Sequence, residues 1–120
     1  MAYRDFTQLP IWKNGFELLL RLYKLSQNFP TEERYGLTSD MRRGANSLIH
    51  NIAEGFGRYE KRDKTRFYKI ARGCAYELIS QLYTCEALAY IEIQHRDELI
   101  NGYVHVILEI NKLIRSVESR

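Results

Sequence analysis

The chain has 120 residues, 45% of them hydrophobic and 28% charged, and a net charge of +3. That length suits one domain over 1–120, large enough to bury a core without disulfides or metals. No run of about 18 apolar residues is present to span a membrane, and MAYRDFTQLP lacks the basic-then-apolar order of a secretory leader, so a cytoplasmic protein is expected.

The first predicted element is a helix from Pro10 to Asn28. Pro10 suits a first helical turn, where its missing N–H costs nothing. Trp12, Phe16, Leu19 and Tyr23 recur at steps of four, three and four and mark an apolar face. Phe29-Pro30 stops the helix, because the residue before proline is pushed out of the helical region.

A second helix carries Leu37, Met41, Ala45, Leu48, Ile52 and Phe56. Thr38 or Ser39 is the candidate cap at its start, and the preceding TEER has the makings of a short turn. The stretch NIAEGFGRYE ends this helix, with Gly55 expected as a left-handed C-cap and Gly57 letting the chain turn. A phosphate-cradling loop needs a strand before its glycines and a helix directly after them. A helix precedes GFGR, and its spacing matches neither GxGxxG nor GxxxxGK[ST].

The third helix follows with Phe67, Ala71, Cys74, Leu78, Leu82, Cys85 and Ala89. Cys74 and Cys85 share a face but stand roughly 16 Å apart along the axis, too far to bridge, and read as core filler. The fourth helix carries Leu99, Tyr103, Val106, Ile110, Leu113 and Val117. Beside it runs a second apolar row, Ile100, Val104, Ile107 and Ile114. One bundle core needs a single stripe of about 100°, so the doubled row suggests deep burial or a subunit contact.

Turns are thus expected near 29–36, 56–62 and 91–97, with no strand. Four helices with short connections favour an all-α, antiparallel up-down-up-down four-helix bundle. Gly15, Gly44, Gly73 and Gly102 lie 29 residues apart, one per helix. Beyond glycine the identities are poor, so this marks four units of similar length, with glycines allowing close backbone approach, rather than a repeat protein.

Residues 42–72 hold nine Lys/Arg against three acidic residues, a segment charge of +6 that leaves −3 for the rest. A basic block in a balanced protein suggests an anionic partner, or a solvated helix face.

The run from FPTEERYGLTSDMRRGANSLIHNIAEGFGRYE through KRDKTRFYKIARGCAYELISQL resembles the four-helix-bundle family of 23S ribosomal RNA intervening-sequence proteins, which includes relatives of the accessory protein of diversity-generating retroelements. The resemblance extends from Leu9-Pro10-Ile11-Trp12 to Tyr90-Ile91. Its most specific pieces are Phe29-Pro30, Tyr35-Gly36-Leu37-Thr38-Ser39, Arg42-Arg43, Asn51-Ile52-Ala53-Glu54-Gly55, Arg66-Phe67, Ile70-Ala71, and Gly73 with Glu77. The chain departs from the family pattern at Gly15, Gly44, Glu60, Lys64 and Cys74. The resemblance implies an antiparallel bundle assembling into a ring, commonly a homopentamer. It implies no established catalysis and a suspected affinity for structured RNA or DNA.

No catalytic residue is assigned, and the protein is expected not to be an enzyme. A di-iron bundle needs two Glu-x-x-His motifs. One occurs, Glu92 to His95, in the expected loop between the third and fourth helices. His50, His95 and His105 show no metal spacing, so no metal or cofactor is expected. Asn51, Glu54 and Glu77 border apolar stripes; Asn51 and Glu54 are read as satisfying backbone groups and Glu77 as pairing with an arginine.

Two functional readings follow. In the favoured one, Arg42, Arg43, Arg58, Lys61, Arg62, Lys64 and Arg66 contact phosphates of structured RNA or DNA, while Tyr59 and Tyr68 stack on exposed bases. In the alternative, the protein is an assembly scaffold whose arginines pair with acidic residues across subunits.

Overall fold

A computed structural model describes residues 4–120. Met1–Tyr3, which begin the stretch read above for a leader, lie outside the described residues. Four helices carry the fold: α1 (Pro10–Ser26), α2 (Leu37–Gly57), α3 (Lys61–Ala87) and α4 (Ile93–Glu118). Single 3-10 turns stand at Phe6–Gln8 and Thr31–Glu33, the second being the short turn expected from TEER. Each helix packs on its neighbours in sequence and α1 closes against α4. The expected all-α up-down-up-down bundle results, with extents of 46 × 24 × 20 Å. Among the described residues no helix is long and apolar enough to cross a membrane.

The connections identify the two ends. At one, Phe29 packs against Tyr90 with ring centroids 5.6 Å apart, and the Tyr90 hydroxyl donates to Glu33 Oε2 at 2.8 Å. At the other, the α2–α3 turn meets the last turn of α4, where the charge of Arg120 is felt by Lys64 and Tyr68.

The core follows the apolar stripes of α2 and α4 closely: Met41, Leu48, Ile52, Leu99, Val106 and Ile110 are all buried. Of the two cysteines, Cys85 is fully buried and Cys74 half-buried. In α3 the buried row also takes in Tyr68 and Ala75, while Phe67 is half-buried and Ala89 lies beyond the helix.

In α1 the stripe is displaced. Ile11, Gly15, Leu18, Leu19 and Leu22 face the core, whereas Phe16 and Tyr23 are exposed and Trp12 is half-buried. The two rows lie one residue apart, about 100° around the helix. Trp12 stacks on Phe16 at 4.9 Å instead.

The doubled row of α4 is largely intramolecular: Ile107 and Ile114 are buried, Ile100 is half-buried and only Val104 is exposed. An Ile107→Glu change would therefore strike the monomer core, not a subunit contact.

The helix ends differ from expectation in three places. Gly36, not Thr38 or Ser39, occupies the N-cap of α2, and the Leu37 amide is taken by Glu33 Oε1 at 3.2 Å. Gly55 is no left-handed cap, because α2 continues through Gly57 and no described glycine has positive φ. A Cβ on Gly55 would stand 2.6 Å from Tyr68 Cε1 and 3.1 Å from the Lys64 carbonyl oxygen. This glycine therefore permits close helix approach. Gly15 and Gly102 do the same, their added Cβ atoms falling 3.0 Å from Ile49 Cγ2 and 2.5 Å from Leu18 Cδ2, whereas Gly73 meets nothing within 4 Å. Finally, α4 begins at Ile93, so Glu92 is its N-cap and His95 lies in its first turn rather than in a loop.

The left-handed cap falls at Ala89 instead, with φ 63°. It ends α3 in a Schellman arrangement, Tyr90 N–H donating to Cys85 O at 2.8 Å and Ala89 N–H to Glu86 O at 2.9 Å. An L-residue pays about 1 kcal/mol for that conformation and glycine does not. Ala89→Gly is accordingly expected to raise unfolding stability by about 1 kcal/mol, seen as a higher urea midpoint at unchanged slope. An unchanged or lower midpoint would contradict this account of the turn.

Candidate nucleic-acid interface

The α2–α3 turn is three residues long, Arg58 to Glu60, with both caps in extended backbone. Its basic side chains are held in different ways. Arg58 Nη2 donates to Glu54 Oε1 at 2.6 Å, and its guanidinium lies 4.8 Å from the centre of the Phe67 ring. Arg66 lies 4.4 Å from the same ring, with Asp63 a loose partner at 3.9 Å. Phe67 thereby positions two cations, each such contact worth about 0.5–1 kcal/mol at an exposed site.

Lys61 and Arg62 are exposed and join no ion pair among the described residues. Between them and Arg58 stands Tyr59, 92% exposed. Down the outer face of α3, Arg62, Arg66 and Lys69 follow at steps of four and three and line an open groove of about 540 Å³ together with Asp63, Thr65 and Ile70. Lys69 has only a 3.9 Å contact to Glu118, and surface pairs of this kind contribute little.

Lys64 is employed differently. Its Nζ donates to Phe56 O at 2.8 Å and Gly55 O at 3.2 Å, adding a donor to carbonyls in the last turn of α2, where intrahelical partners run out. Partial burial, then the nearby Arg120 charge, lowers its pKa. Lys64 thus ties the turn together and presents little of its ammonium to a ligand.

Tyr68 cannot stack on a base. It is 2% exposed, wedged against Gly55, and burial pushes its hydroxyl pKa up to about 12. Its place on the apolar face of α3, three residues before Ala71, is the sequence signal for that fate.

Arg42 and Arg43 do not join this cluster. They lie in the second turn of α2, and the 16 residues from Arg42 to Arg58 span about 24 Å of helix, more than half of the bundle's 46 Å long dimension. What the end does gain is Arg120, brought beside α3 by the up-down topology, and Lys69 from the groove. Arg120 is 54 residues from Arg66 in the chain, so only the fold relates them.

The polar residues beside the stripes have structural duties. Asn51 Nδ2 donates to the Ser47 carbonyl oxygen at 2.8 Å, the backbone partner expected, whereas Glu54 pairs with the Arg58 side chain rather than with backbone groups. Glu77 is exposed and pairs with no arginine among the described residues, contrary to expectation.

The described residues form a closed four-helix bundle with a cluster of basic side chains at its α2–α3 end. The chain belongs to the 23S rRNA-intervening sequence protein family, whose model matches residues 7–112. Its fold is similar to the crystal structure of a protein of unknown function from the S23 ribosomal protein family of Bacteroides thetaiotaomicron. The TM-score is 0.78 at 19% identity, over 87% of this chain and 97% of that one. No curated protein matches the sequence.

Proposed function

We propose that this protein is a non-enzymatic binder of structured RNA or DNA, gripping the phosphate backbone with the basic end of the bundle. Arg58, Lys61, Arg62 and Arg66 are the principal contacts, extended by Lys69 and Arg120. Lys61 and Arg62 carry the proposal: two exposed cations with no carboxylate partner among the described residues, two and three positions after the exposed Tyr59. Phosphate contacts of this kind position a ligand without reading its sequence, so little base specificity is expected. Titration of a labelled hairpin RNA and a duplex DNA at low and high salt tests it, and absence of binding to both at low salt would favour the scaffold alternative.

We further propose that the chain works as a homo-oligomer, the number five coming from the family resemblance alone. With the second row of α4 buried, the supporting surface moves to α1. There Trp12, Phe16, Leu20 and Tyr23 form a continuous row in which Leu20 is 52% exposed. A ring would repeat the basic end and raise avidity where one nucleic acid reaches several copies. Light scattering is expected to give a mass several times the 14.3 kDa of one chain. Leu20→Glu should reduce it to the monomer with helicity intact. A wild-type mass of one chain would end the oligomer proposal, and an intact assembly in the variant would exclude the α1 row.

A further inference from the structure

Opposite the basic turn, the α1–α2 connection leaves a solvent-open cleft of about 780 Å³. Arg34, Arg42 and Arg43 line it, with the hydroxyls of Thr38 and Ser39 and the ring of Tyr35; no Asp or Glu does. The volume falls within the usual range for small-molecule sites.

Arg42 is built into this cleft. Its Nε donates to Ser26 Oγ at 2.9 Å, and its Nη2 to the Tyr23 carbonyl oxygen at 3.2 Å. Its guanidinium lies 4.6 Å from the centre of the Tyr23 ring. Ser26 is itself 3% exposed and donates to the same carbonyl at 3.2 Å, so the acceptor that orients Arg42 is fixed in turn. All these partners are neutral. Among the described residues no carboxylate pairs with Arg42 or Arg34, and Arg43 has an exposed 3.5 Å contact with Asp40 while its Nη2 donates to Ser39 Oγ at 3.3 Å. A half-buried guanidinium with its position fixed and its charge unbalanced is suited to an anion whose oxygens accept its remaining N–H groups.

The chemistry of the rim narrows the anion. Hydroxyls of Thr38 and Ser39 add donors in the first turn of α2, where the helix dipole has the same sign. Tyr35 is 88% exposed, with the Arg34 guanidinium 6.0 Å from its ring centre, a flat surface on which a planar ring can stack. We propose that this cleft binds a phosphate monoester carried on a nucleobase-sized ring. The phosphate meets Arg42, Arg43 and the hydroxyls, and the ring lies on Tyr35. A free mononucleotide and the 5′-phosphorylated end of an RNA strand share that chemistry.

The cleft is independent of the basic turn, and the test keeps them apart. Isothermal titration at low salt with 5′-AMP, adenosine and inorganic phosphate should give saturable binding of 5′-AMP, binding of phosphate about tenfold weaker, and none of adenosine. Arg34→Gln with Arg43→Gln, both exposed and safe for the fold, should weaken 5′-AMP at least about tenfold. Arg42→Gln should weaken it as much, with circular dichroism as the check on folding. Lys61→Glu with Arg62→Glu at the far end should leave it unchanged. In that last background, a hairpin RNA with a 5′-phosphate that binds more tightly than its 5′-hydroxyl twin and than 5′-AMP identifies the strand end as the source. Equal affinity for 5′-AMP and the phosphorylated hairpin identifies the free nucleotide. No 5′-AMP binding, or binding indifferent to the Arg34/Arg43 pair, would overturn the proposal.

Discussion

Gly55→Ala is expected to destabilise the protein by about 2–3 kcal/mol, the upper range for one methyl forced into a filled space. The added Cβ meets the Tyr68 ring at 2.6 and 2.9 Å and the Lys64 carbonyl oxygen at 3.1 Å. A flexible side-chain tip could yield, but here one neighbour is backbone and the other a ring held in the core, so α2 and α3 must separate. Gly57→Ala is the internal control. It lies in the same last turn of α2 with nothing within 4 Å of its added Cβ, and alanine's better helix propensity should stabilise by up to about 1 kcal/mol. Two glycines two residues apart should thus move stability in opposite directions in urea unfolding. Because the same contact seats Lys64 on the end of α2 and Phe67 beneath Arg58, Gly55→Ala should also weaken nucleic-acid binding. If the two variants unfold alike, close approach is not what Gly55 provides.

The second large effect is electrostatic. Each phosphate neutralised on a duplex releases counterions and gives a slope of about −0.9 in log affinity against log salt. The four principal contacts per protomer, from Arg58, Lys61, Arg62 and Arg66, correspond to a slope near −3.6. Between about 50 and 200 mM salt the affinity should then fall roughly a hundredfold. Lys61→Glu with Arg62→Glu removes two contacts and adds two repulsions at positions that make no ion pair among the described residues. Binding at low salt should be lost while helicity and oligomer mass persist. Lys64→Glu should act differently, because Lys64 caps α2 carbonyls: its main effect is expected on stability.

Much of the fold was legible because the apolar residues of α2 and α4 recur at helical spacing, although the doubled row of α4 left both burial and a subunit contact open until the packing decided for burial. In α1 periodicity could not choose. Trp12, Phe16 and Tyr23 make one row and Ile11, Leu18 and Leu22 another, and both satisfy helical spacing; which one meets the core depends on the neighbouring helices. Gly55 shows a similar degeneracy, since a left-handed cap and a close approach both select glycine, and only the position of Tyr68 separates them. Ala89 gave no signal because its residue type is wrong for its conformation. The basic block was visible as composition, but a linear count joins what a helix separates. Arg42 and Arg43 belong to the far end, while Arg120, distant in the chain, belongs with Arg58 and Arg62.

The most direct measurement is the affinity of the wild type and the Lys61→Glu, Arg62→Glu variant for one labelled hairpin RNA across a salt series. Nucleic-acid binding by the basic end predicts a steep linear decline for the wild type, near −3.6 for four contacts, and no measurable binding for the variant at an unchanged oligomer mass. A wild type whose affinity ignores salt, or a variant that binds as tightly as the wild type, would contradict it.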